Sequence, residues 1–126
     1  NFYLNINLLD LKSFEESEFL ITDNGGVGLE YSLIYRKPTM YINYVNKIHN
    51  QFYKEINIDP IENIFKKNFG YEINIDTIKN IPNNVSDMNE NFSLKINDLD
   101  NFFADYISSA ENPSSKAAKI ISDILK

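Results

Sequence analysis

Residues 19–30 read Phe-Leu-Ile-Thr-Asp-Asn-Gly-Gly-Val-Gly-Leu-Glu, and this stretch holds the types and spacing that can do chemistry. An apolar run ends in Thr22-Asp23-Asn24, turns through Gly25 and Gly26, and restarts in a pattern a helix can carry. A strand that gives way to a glycine turn and then a helix leaves main-chain N–H groups unpaired at the helix start, where the helix dipole favours negative charge. Glycine lets that backbone come close to an anion and tolerates positive φ. The chemistry this permits is the binding of a phosphate, as part of a nucleotide or sugar-phosphate site.

Other candidates are fewer. His49 is the only histidine, and an imidazole titrates near neutrality, so it is the one candidate acid or base of that kind. It has no second histidine and no evident partner, and a contact from Lys47 or His49 to a ligand phosphate is the better reading of the pair. Glu15, Glu16 and Glu18 lie on a segment expected to be a solvated face. No metal-ligand spacing is present, and the chain has no cysteine, which removes disulfides, thiolate zinc sites and thiol catalysis. No cofactor is expected.

The elements that must position the turn follow from periodicity. Alternation over 1–7 predicts a strand, and 10–16 a short helix with Leu8, Leu11 and Phe14 spaced by three. Residues 19–22 form a compact apolar run, read as a buried strand, followed by a helix over 26–36. Pro38 restricts Lys37 and ends that helix, and 39–44 is the next strand. Alternating strands and helices predict a parallel sheet of three or four strands flanked by helices, a Rossmann-like α/β fold.

The second half reads as mostly helical. Asp59-Pro60-Ile61-Glu62 supplies a cap, a first-turn proline and an N3 carboxylate, Ile61, Ile64, Phe65 and Phe69 share a face, and Gly70 closes that helix. Residues 71–75 alternate as a short edge strand or an extended link, and Ile81-Pro82-Asn83-Asn84 reads as a break. Leu99, Phe102, Phe103, Tyr106 and Ile107 predict an amphipathic helix. Asn112-Pro113 starts a last one, with Ala117, Ile120, Ile121 and Ile124 on one face. Phe65, Phe69, Phe102 and Phe103 are expected in the core.

Composition sets the outer limits. Lys and Arg number 12 against 18 Asp and Glu over 126 residues, a net charge of −6. An acidic chain is a poor match for a nucleic-acid backbone. Main-chain amides can still bind a nucleotide without net positive charge. No apolar run approaches the roughly 20 residues of a membrane span, and no signal peptide is evident. The first residue is Asn1 in a strand-like segment, which reads as a piece of a larger protein. The 126 residues are expected to form one unit.

With those residues in view, the chain resembles two families. The loop Thr22-Asp23-Asn24-Gly25-Gly26 is similar to the Thr-Asp-Ser-Gly-Gly of UDP-GlcNAc 2-epimerases, whose ribose-binding glutamate would fall on Glu30. Over a longer span the chain resembles the CDP-glycerol glycerophosphotransferases, at Leu9-Asp10-Leu11, at 19–21, at the loop, and at Arg36-Lys37-Pro38. The similarity covers 8–44 and, weakly, 114–118. Both belong to GT-B-type enzymes, whose C-terminal Rossmann-like domain holds the donor nucleotide. The chain departs from both. It lacks the Ser-Ser pair of the polymerases, and residues 43–50 stand where epimerases carry an arginine and Thr-Glu-Arg-Pro-Glu, which counts against epimerase activity.

The resemblance implies a division of labour. Amides of Gly25 and Gly26 would hold the donor diphosphate, with Thr22 and Asn24 each donating a hydrogen bond to a phosphate oxygen. Glu30 would accept two ribose hydroxyls, and Asp23 would orient the turn. The catalytic residues would lie in a missing N-terminal acceptor domain, and the chain would be inactive alone. The implied protein is a cytoplasmic transferase, able to lie at the inner membrane face, moving a nucleotide-activated glycerol phosphate or sugar onto a surface polysaccharide such as a capsule. Two plainer readings stand beside it. Asn24-Gly25 is also a hairpin signal, and a glycine pair can be only a βα turn, in a noncatalytic interaction or regulatory module whose Glu30 is simply solvated.

Overall fold

The computed structural model describes Leu4, residues 11–43, Phe52, Glu55, residues 57–107 and residues 112–125. The expected strand at 1–7, apart from Leu4, lies outside the described residues, as do Tyr44, Lys47 and His49. By its contacts the chain forms two compact units, Asn1–Ile96 and Asn97–Lys126.

In the first unit the described elements run α1 (Lys12–Glu16), β1 (Leu20–Thr22), α2 (Val27–Tyr35), β2 (Thr39–Asn43), α3 (Ile61–Phe69) and β3 (Tyr71–Asn74). A 3₁₀ segment (Ile75–Asn80) and α4 (Ile81–Lys95) follow. The strands form a parallel sheet in the order β1-β2-β3. Parallel neighbours cannot be joined by a tight turn, so α2 and α3 serve as the crossovers and bring every strand's carboxyl end to one edge. The α/β class with a parallel sheet is therefore as expected. The hairpin at Asn24-Gly25 does not form, because β1 and β2 run parallel.

Alternation along β2 assigns its two faces. Met40 forms a buried cluster with Ile73 of β3 and Met88 of α4, flanked by Phe19, Ile42, Tyr71, Ile81 and Val85. Thr39 and Tyr41 face the other way, towards the crossovers. The Thr39 hydroxyl, buried, donates to the Gly28 carbonyl at 3.1 Å and pairs with the Ser32 hydroxyl at 2.9 Å. The aromatic trio Phe14, Tyr31 and Tyr35 joins α1 to α2, with ring centroids 5.5–6.3 Å apart.

Three local expectations are corrected. Residues 81–84 are no break but the first turn of α4, where Pro82 lacks only a hydrogen bond that no first-turn residue makes. The α3 cap is Pro60, not Asp59: the Pro60 carbonyl takes the first helical bonds from Asn63 and Ile64. Gly70 ends α3 in an extended conformation, not a left-handed one, so its lack of a side chain serves packing.

The second unit holds α5 (Asp98–Ile107) and α6 (Pro113–Ile124). Leu99 and Phe102 of α5 are buried, whereas Phe103, expected in the core, is 41% exposed. The apolar face of α6 is real but uncovered, with Ile120, Ile121 and Ile124 all exposed.

Candidate functional site

The turn after β1 is built largely from its own atoms. Thr22 ends β1 opposite Tyr41 of β2. The Asp23 carboxylate then accepts a hydrogen bond from the Gly25 amide at 3.1 Å, a side chain mimicking a backbone turn. Asp23 thus orients the loop, and in doing so it engages one of the two glycine amides. Gly26 has helical geometry (φ −65°, ψ −21°) and its carbonyl accepts from the Glu30 amide at 3.1 Å. The N-cap of α2 is Gly26, which carries no side chain of its own to cap the helix, and the first amides of a helix have no intrahelical acceptor. Neither glycine uses a positive φ.

A cation the sequence did not single out stands at the mouth of this turn. Lys66, in the last turn of α3, donates from Nζ to Asn24 Oδ1 at 2.9 Å and to Asn43 Oδ1 at 3.1 Å. It also pairs with Glu72 Oε2 at 3.3 Å. Asn43 Nδ2 donates in turn to that same Glu72 oxygen at 2.6 Å. Asn43 ends β2, and Glu72 lies opposite Tyr41 on β3, so Tyr41, Asn43 and Glu72 share the face towards the crossovers. The Lys66 side chain is only 15% exposed. Lys66 and Lys67 both fall in the last turn of α3, where a lysine ordinarily just complements the helix dipole. Local pattern does not separate the two; the strand register does.

Carboxylates also reach this edge. A β-carbon on Gly26 would lie 3.7 Å from Glu62 Oε1. The same glutamate adds to the upward shift of the Tyr41 phenol, whose main cause is burial. Tyr41 itself is 2% exposed and passes between Gly28 and Gly70, both of which it nearly touches.

Glu30 is exposed. It sits at the rim of an apolar groove of about 130 Å³ between α1 and α2, lined by Leu11, Phe14, Val27, Tyr31, Ile34 and Tyr35. Of the expected site residues, Asp23, Asn24, Gly25 and Gly26 therefore gather with Lys66, Thr22 closes the strand beneath them, and Glu30 lies on the α1 side of α2. His49 is outside the described residues. Among the described residues no cluster of three His, Cys, Asp or Glu could hold a metal ion, and no helix is long and apolar enough to cross a membrane. No family model, curated protein or solved structure matches the chain.

Proposed function

We propose that this chain is the donor-binding part of a GT-B-type transferase that moves a nucleotide-activated glycerol phosphate or sugar onto a surface polysaccharide. In this reading the donor diphosphate rests on the carboxyl edge of the sheet, between the first-turn amides of α2 and the Lys66 ammonium. The single observation that carries it is Lys66: a mostly buried cation, drawn from 42 positions along the chain to the mouth of a glycine turn. Ligands of open parallel sheets bind outside the carboxyl ends of the strands, and this is the edge in question. Asn24 and Asn43 hold the ammonium there, and the α2 dipole adds to its field. Acceptor and general base would come from a second domain across the cleft, which makes the chain inactive by itself.

Isothermal titration with CDP, UDP and CDP-glycerol tests this reading. Micromolar binding of one of them, lost in Lys66→Met, supports it. Absence of binding by all three, in the protein that includes the acceptor domain, removes it.

A second reading is favoured by the Asp23–Gly25 hydrogen bond and by Glu62 beside Gly26. There the turn satisfies itself, and the chain is a noncatalytic α/β interaction or regulatory module. Gly25→Val separates the two. A donor site loses nucleotide affinity while the fold survives, whereas a purely structural turn loses stability.

A further inference from the structure

Lys66 offers three N–H donors, and three side-chain oxygens from the described residues stand around it: Asn24 Oδ1, Asn43 Oδ1 and Glu72 Oε2, at 2.9, 3.1 and 3.3 Å. Two are neutral carbonyl oxygens and one is a carboxylate. An anion arriving at the turn must take one of these places. Asn24 belongs to the turn itself, and Asn43 ends the central strand. Glu72 lies on β3, an edge strand of the described sheet, and its side chain is 38% exposed. It is the partner most like the ligand in charge and the one nearest to solvent.

We propose that Glu72 is a resident anion that holds Lys66 in the absence of ligand and is displaced by the phosphate of the ligand. This inference rests on the donor-binding reading and deepens it. Glu72 swings towards solvent, the Asn43 carboxamide follows or releases it, and Lys66 turns one N–H to a phosphate oxygen while keeping Asn24 and Asn43. No bond to carbon or phosphorus changes; one ion pair replaces another. The exchange also selects the ligand class. A group that must outcompete a carboxylate, with Glu62 and Asp23 nearby, needs more than one negative charge. Diphosphates therefore bind, and singly charged carboxylates and sulfonates do not.

The test is a titration of the 126-residue chain with CDP and with inorganic pyrophosphate, in the wild type and in Glu72→Gln, Lys66→Met and Glu90→Gln. Glu90 is exposed on α4, so its variant reports the effect of removing one negative charge elsewhere. Glu72→Gln is expected to bind both probes about three- to tenfold tighter, the range of a partly exposed ion pair. Lys66→Met weakens binding at least about tenfold, and Glu90→Gln stays within about twofold. Lys66→Arg serves if the methionine variant does not fold, retaining binding through the same charge. A merely structural role for Glu72 would lower the melting temperature and leave affinity unchanged or weaker. That result, with wild-type binding intact, overturns the displacement and leaves the donor-binding reading standing. Binding by Glu72→Gln alone supports the displacement, and failure of both wild type and Glu72→Gln to bind either probe overturns it.

Discussion

The Tyr41 hydroxyl occupies the space that a β-carbon on Gly28 would fill. The other side of the same ring lies 2.7 Å from the corresponding point on Gly70. Two glycines in two crossovers thus clear a slot for one strand tyrosine. Gly28→Ala and Gly70→Ala are each expected to cost about 1–3 kcal/mol, since an added methyl in a filled interior must push strand and helix apart. Gly26→Ala meets only ordinary contact with Glu62 at helical dihedrals, and is expected to be neutral or stabilising by up to about 1 kcal/mol. Urea denaturation of the three variants checks the contrast. Equal losses at 26 and 28 would refute it.

Burial raises the phenol pKa of Tyr41, and more modestly that of Tyr31, above the ordinary value of 10.0. For Tyr41 the nearby Glu62 adds to the shift; for Tyr31 the Ser17 hydrogen bond opposes it. A raised acid pKa means that the folded chain keeps protons the unfolded chain gives up. Stability from these groups is therefore complete below about pH 10 and is lost as pH rises past it, by up to roughly 1.4 kcal/mol per pH unit for each tyrosine. Denaturation midpoints between pH 8 and 11.5 should be flat at first and then fall, and Tyr41→Phe should shallow the fall. A flat profile to pH 11.5 contradicts the burial.

Thr39 is buried and serves two partners, the Gly28 carbonyl and the Ser32 hydroxyl. Thr39→Val keeps the shape and removes the hydroxyl, taking from the Ser32 hydroxyl its 2.9 Å partner and from the Gly28 carbonyl its side-chain donor. The expected cost is about 1–3 kcal/mol. In a double-mutant cycle, Ser32→Ala should recover part of that cost, because it removes the hydroxyl that lost this partner. Strict additivity would mean that the two hydroxyls do not interact.

On α6 the side chains of Ile121 and Ile124 are 58% and 77% exposed. Ile121→Ser and Ile124→Ser are expected to change unfolding free energy by no more than about 0.5 kcal/mol, unlike Phe65→Ala, which should cost about 3–5 kcal/mol at a fully buried site. Thermal melts of the three variants decide it.

Much of the α/β alternation is written in local pattern. Compact apolar runs, Pro38, and the Ile61, Phe65 and Phe69 spacing set β1, α2, β2 and α3 to within a residue or two. Helix α4 was obscured by its many asparagines and serines. Its signal is the sparse row Ile81, Val85 and Met88, which makes sense once the sheet offers Met40 and Ile73 to bury it. Phe103 and the α6 isoleucines show the converse: periodicity marks an apolar face but does not supply a surface to cover it.

The candidate site divides the same way. Asp23 orienting the turn, and helix α2 starting at the glycines, were legible because both depend on neighbours within a few residues. Lys66 was not, because Asn24 and Asn43 lie 42 and 23 positions from it and meet it only through the parallel register. What the amino-acid order alone determined is the succession of strands, turns and helices, since those answer to hydrogen bonds and side chains nearby in sequence. Which glycines are indispensable, which lysine faces the turn and where Glu30 points were decided by packing, because each depends on atoms that only folding brings into contact.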